Sequence, residues 1–213
     1  MPTAKRWNAA LCVGSSACLR KARQLLPQGK KKKSASGSNG LRLSCFGGFH
    51  LQYEGRPLEL KQKKARELLA LLACERGRPV SKRRAAALLW DSDAEQGRSS
   101  LSKVCRFLTR FSEEHGGCLP LTVSYGALSL EASEISVDLE EFLQLAAGES
   151  IEDWRAAAAL HTGELLFAES YEWIEDYAGK YEIEYLELCR RLAEHYRKEG
   201  LQKLAEVYER EIY

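Results

Sequence analysis

Two hydrophobic periods divide the first half of the chain. From Leu41, short apolar stretches alternate with turn residues: LRLSCF, Gly47-Gly48, FHLQY, Glu54-Gly55, then RPLEL. This spacing predicts three short antiparallel strands, with Gly55 filling a positive-φ turn position. The period then lengthens. Ala65, Leu68, Leu69, Leu72 and Ala73 make one helical stripe that Gly77 and Pro79 bring to an end. Ser81 is placed to cap a second helix, KRRAAALLW, whose Leu88, Leu89 and Trp90 turn back towards a core. A loop from Asp91 to Gly97 leads into RSSLSKVCRFLTRF, residues 98–111, where Leu101, Val104, Cys105, Leu108 and Phe111 line one face of a third helix. LTVSY, Gly126 and ALSLE then predict a hairpin closed at Tyr125-Gly126.

From Val137 the pattern is helical to the end. VDLEEFLQLAAG places Val137, Leu139, Phe142, Leu143 and Leu145 ahead of a glycine stop. Near the C-terminus, Leu192, Ala193 and Tyr196, a turn at Gly200, then Ala205 and Tyr208 form a helical-hairpin pattern like one tetratricopeptide unit. Such a unit lends one apolar face to a neighbour, because it cannot bury both faces alone.

Three strands, three helices and a hairpin are the order of a winged helix, in which the third helix enters the major groove and the second crosses the phosphate backbone. The expected fold is therefore α+β: a winged helix-turn-helix domain over 41–133 followed by an all-α, tetratricopeptide-like domain over 137–213. Residues 1–40 read as a basic flexible linker or tail, because KKKK and SASGSNG cannot bury a core. Residues 15–26 within that segment could form a short basic helix.

Charge sharpens this picture. The chain's net charge of +2 is the sum of two opposite halves. Residues 1–111 hold 24 Lys and Arg against 7 Asp and Glu, a net +17, whereas residues 112–213 hold 8 against 23, a net −15. The basic half fits a polyanionic partner. On the polar side of the third helix, Ser99, Ser102, Lys103, Arg106, Thr109 and Arg110 share half of the wheel with no acidic residue among them. Lys and Arg supply donors for base edges and phosphates. Ser81, Lys82 and Arg83, with Arg84, stand at the second helix N-terminus, where side chains and backbone N–H groups can grip phosphate together. Tyr125, at the hairpin turn, completes the candidate DNA-binding set.

GRPVSKRRAAALLW followed by SSLSKVCRFLTRF resembles the OmpR-type winged helix of bacterial activators. VDLEEF, LHTGELL and ESYEWIEDYAGKYEIEYLELCRRLAEHYRKEG resemble the bacterial transcriptional activator domain, BTAD, that accompanies it in the SARP family. The likeness runs from about Leu41 to Tyr213, and its most diagnostic part is Leu160 to Trp173, with Gly163, Glu164, Leu165, Leu166 and Trp173. It implies a cytoplasmic bacterial transcriptional activator whose winged helix binds direct repeats in double-stranded DNA. The helical domain would serve dimerisation or contact with RNA polymerase. Family members usually continue into further helices, so the resemblance implies a truncated helical domain. Ala85 stands where the family's second helix often has a larger apolar residue, which predicts looser packing there. Phe107 stands near a position that is often basic.

No enzyme motif competes with this reading: there is no G-x-S-x-G, no G-x-x-x-x-G-K-[ST] and no H-E-x-x-H. His50, His115, His161 and His195 are dispersed, and the pairs Glu140-Glu141 and Glu175-Asp176 diverge on helices, so no catalytic, cofactor or metal site is expected. Seven scattered cysteines without a C-x-x-C pair point to reduced thiols, with Cys105 and Cys189 on apolar faces. No apolar run approaches membrane-spanning length, and AALCV at 9–13 is short for a signal peptide. The rival class is a tetratricopeptide-like interaction adaptor with a degenerate winged helix. Tyr171, Trp173 and Tyr177 are either core or anchors for such a partner.

Overall fold

The computed structural model describes residues 40–90 and 94–213, so the expected linker over 1–40, its short basic helix and its apolar stretch lie outside the described residues apart from Gly40. Strands β1 (Leu41–Ser44), β2 (His50–Tyr53) and β3 (Arg56–Pro57) form the antiparallel ladder the alternation predicts. Leu43 sits opposite Leu51, and Gly55 takes φ +78 in the tight turn beside Glu54 at φ +50. A fourth strand was hidden in the sequence. β7 (Ile135–Val137) pairs in parallel with β1, setting Leu41 beside Ile135 and Leu43 beside Val137, so the sheet order is β3-β2-β1-β7. Val137 is thus the end of a strand and not the first turn of a helix.

Between those strands lie helices α1 (Lys63–Cys74), α2 (Lys82–Leu89) and α3 (Ala94–Glu114). α1 buries more than one stripe: Glu67 and every residue from Leu68 to Cys74 are inside, because α2, α3 and strand β6 (Ala127–Leu130) all pack on it. Within α1, Lys64 spans the ion pair to Glu67 at 2.8 Å, the Leu89 carbonyl and the face of Trp90. Trp90 and Leu88 are only half-buried, and Leu89 alone of the three reaches the core. Ala85 is fully buried. α3 begins at Ala94, four residues ahead of Arg98, so part of the expected loop is helix and Glu95 lies in the first turn at the positive end of the dipole. Asp91, Ser92 and Asp93 lie outside the described residues.

β5 (Leu121–Val123) and β6 form the predicted hairpin, and β4 (Val80–Ser81) adds a third strand that pairs Val80 with Leu128 and Ser81 with Ala127. Beyond β7 come α4 (Asp138–Ala146), α5 (Ile151–Leu160), a 3-10 turn at Glu172–Ile174, α6 (Glu175–Lys198) and α7 (Gln202–Ile212). The described residues divide into two compact units, 40–184 and 185–213. In the second, Gly200 (φ +71) turns α6 into α7, Tyr196 stacks on Tyr208 at 5.8 Å, and Arg197 pairs with Glu209 at 2.5 Å. Leu192, Ala193, Ala205 and Tyr208 are buried as the hairpin pattern requires. Among the described residues, no helix is long and apolar enough to cross a membrane.

Candidate nucleic-acid interface

α3 separates its faces as the 3.6-residue period demands. Leu101, Val104, Cys105, Leu108 and Phe111 are buried, while Ser99, Ser102, Lys103, Arg106, Thr109 and Arg110 are exposed. Arg98 belongs to the same exposed face, one turn ahead of Ser102, although it was not among the residues expected there. Two hydroxyls are already engaged: Ser102 Oγ donates to the Arg98 carbonyl at 3.0 Å and Thr109 Oγ1 to the Cys105 carbonyl at 3.1 Å. They retain accepting lone pairs, so their remaining use towards a duplex is with donor groups on bases. Arg106 bends its Nε towards the Ser102 carbonyl at 3.4 Å and remains exposed. Phe107, 37% exposed, stacks on Phe111 at 6.3 Å along the rim of this face.

The start of α2 and the hairpin turn are fastened together. Ser81 caps the helix by accepting from the Arg84 N–H at 3.1 Å, and the Lys82 N–H donates to the Gly126 carbonyl at 2.9 Å. The turn itself is closed by Ser124, whose Oγ accepts from the Ala127 N–H at 3.1 Å. Ser81, Lys82 and Arg83 therefore share one backbone-bonded edge with Tyr125, whose side chain stands wholly in solvent. Lys82 also reaches the third helix electrostatically. Burial pushes the Cys105 thiol up, and the Lys82 ammonium opposes that shift. The capping role of Ser81 commits its hydroxyl to the helix, and Lys82 is half-buried while Arg83 is exposed.

Arg84 departs from its neighbours. Its guanidinium pairs with Glu75 at 2.9 Å and donates to the Tyr177 hydroxyl at 3.1 Å, and that hydroxyl donates to Glu75 at 2.5 Å. Arg84, expected with Lys82 and Arg83 at the helix start, is thus paired internally with a buried carboxylate.

No protein-family profile matches the chain. No curated protein sequence matches it. A solved structure of Mycobacterium tuberculosis EmbR, in complex with a low-affinity phosphopeptide, shares its fold: the TM-score is 0.63 at 20% sequence identity, over 76% of this chain and 47% of EmbR. The chain spans about half the length of that protein.

The segment that looked most diagnostic in the sequence, Leu160 to Trp173, clamps the loop after β1. His161 packs on Phe46 with ring centroids 4.8 Å apart, Thr162 Oγ1 donates to the Phe46 carbonyl at 2.8 Å, and the Leu166 N–H donates to the Cys45 carbonyl at 2.8 Å. Gly163 lies close to the Gly47 backbone, where a Cβ would stand a tight 3.3 Å from the Gly47 Cα. Asp138, at the first turn of α4, completes the clamp by accepting from the Cys45 N–H at 2.8 Å and the Phe46 N–H at 3.0 Å. Tyr171 and Trp173 are buried and stacked at 5.7 Å, so they are core residues, and Tyr177 is half-buried against Glu75. Burial, and then the Glu75 hydrogen bond, push the Tyr177 phenol up to about 12. Cys45, Cys74, Cys105, Cys118 and Cys189 are buried thiols. The histidines do not converge: His115 lies against Phe111, His161 against Phe46 and His195 against Tyr196.

Proposed function

We propose that this chain is a sequence-specific DNA-binding transcriptional regulator of the SARP kind, acting as an activator. In this reading 41–133 is the DNA-reading module and 137–213 the tetratricopeptide-like helical domain used for dimerisation or polymerase contact. One observation carries it: an exposed helix face with no acid from Arg98 to Arg110 lies in the same small module as the cationic start of α2 and the Tyr125 turn. That is the layout in which one helix reads base edges, a second crosses the backbone and the wing lies alongside. The EmbR-like fold supports the same assignment. Residues 137–213 hold 8 Lys and Arg against 19 Asp and Glu, a net −11 that favours protein partners over DNA for the helical part, since a duplex repels it.

The test is fluorescence anisotropy of the whole chain with a duplex from upstream of its own gene and with a scrambled duplex, at low and physiological salt. Tighter binding to the upstream duplex that persists at physiological salt is the expected result. Equal binding to both duplexes, or binding that vanishes with salt, would favour the adaptor role for the helical part.

A further inference from the structure

We infer that Glu75 withholds Arg84 from DNA, so that Arg84 is a positioning residue held by the helical region and the start of α2 meets phosphate through Lys82 and Arg83 alone. This rests on the DNA-binding reading above and adds a division of labour within it.

The geometry gives Glu75 the stronger claim on Arg84. The Glu75 side chain is 8% exposed and sits at the end of α1, whereas Arg84 is 55% exposed and could otherwise turn outward. A buried carboxylate must keep its partners, because removing one leaves a charge without solvation. Glu75 has three: Arg84 at 2.9 Å, the Tyr177 hydroxyl at 2.5 Å and the more exposed Arg78 at 3.8 Å. Arg84 in turn is held at two points, by Glu75 and by the Tyr177 oxygen. To reach a phosphate it would have to break both contacts and leave Glu75 with a phenol and a distant guanidinium. Lys82 and Arg83 form no ion pair among the described residues, so their charge is available at the same helix end. Tyr177 lies on α6, so the contact that disarms Arg84 also ties α2 to the helical region.

The salt dependence of DNA binding counts working cations, at a log-log slope of about −0.9 for each phosphate neutralised. Slopes would be measured by anisotropy for the full chain and for Arg84→Gln, Lys82→Gln, Glu75→Gln and Tyr177→Phe, each first checked for a cooperative thermal transition. Arg84→Gln should keep the parent slope, Lys82→Gln should flatten it by about 0.9, and Glu75→Gln should steepen it by about 0.9 as Arg84 is released. Tyr177→Phe should move the slope in the same direction as Glu75→Gln, by less, because Glu75 still holds one side of the guanidinium. A slope that flattens in Arg84→Gln as much as in Lys82→Gln would overturn the inference, as would an unchanged slope in a folded Glu75→Gln. Should Glu75→Gln fail to fold, the comparison of Arg84→Gln with Lys82→Gln decides alone. In the absence of DNA, slowed rotation of the Arg84 guanidinium in NMR spectra, lost in Glu75→Gln, tests the pairing itself. If the parent chain binds no duplex while that signature is present, the DNA-binding reading fails and the internal pairing stands.

Discussion

His161 shows how one side chain records the packing around it. It is 8% exposed against Phe46, with Phe142 next at 6.1 Å, and burial lowers its pKa from 6.5 to about 4. The folded protein therefore holds a neutral imidazole at pH 7. Between pH 6.5 and 4 the unfolded chain binds a proton that the folded chain refuses, so stability falls as pH is lowered through that window. The full shift corresponds to roughly 3 kcal/mol. His161→Phe, measured by urea denaturation at pH 7 and pH 4, should keep on the order of 3 kcal/mol that the parent loses across this range. Equal losses in both proteins would mean that His161 titrates normally in the fold. Nothing in the sequence marked this residue for burial. His161 follows the alternation of no helix or strand, and its partner Phe46 is more than a hundred positions away.

At the scale of elements, period and capping chemistry made much of the molecule legible. The α3 face, the Ser81 cap, the Tyr125-Gly126 turn and the Gly200 corner all rest on contacts within a few residues, where spacing is informative. β7 was hidden because a three-residue strand has too little alternation to register, and its partner β1 lies about ninety positions earlier. The pairing of Arg84 was hidden for a related reason. On the helical wheel it is one more exposed cation, and only the approach of α1 and α6 assigns it to Glu75 and Tyr177. Within the candidate interface, α3 and the start of α2 should behave differently. Arg106→Ala removes a long donor from the middle of the exposed face and should cost about 1–3 kcal/mol on the preferred duplex, with discrimination between duplexes relaxed. Lys82→Ala should weaken binding to every duplex alike, because a point charge at a helix start meets backbone and carries no sequence information. Titrating both variants against the preferred and scrambled duplexes separates these patterns. A uniform loss in Arg106→Ala would remove that residue from base contact.

Across the first compact unit, the sheet joins what the linear order separates. β1 opens the stretch 41–137 and β7 closes it, so the strand that leads into α4 is hydrogen-bonded in parallel to the strand at the start of the unit. Asp138 sits at that junction. Burial holds its carboxyl above the usual range, while the backbone N–H groups of Cys45 and Phe46, and Arg42, pull it down. Its oxygens accept from two buried donors, the Cys45 and Phe46 N–H groups. Removing them strands both N–H groups at about 1–3 kcal/mol each. Asp138→Ala should therefore cost on the order of 3 kcal/mol, and Asp138→Asn, which keeps one carbonyl acceptor, should cost less. The joint fixes more than the size of the loss. Trp90 reports from the end of α2 and Trp173 from the 3-10 turn, and both belong to the unit that Asp138 fastens. With each tryptophan in turn left as the sole fluorophore, the Asp138→Ala background should shift both urea midpoints together. If the Trp90 midpoint held while the Trp173 midpoint fell, the carboxylate would be a local cap on α4, and the two-sheet module would stand without it.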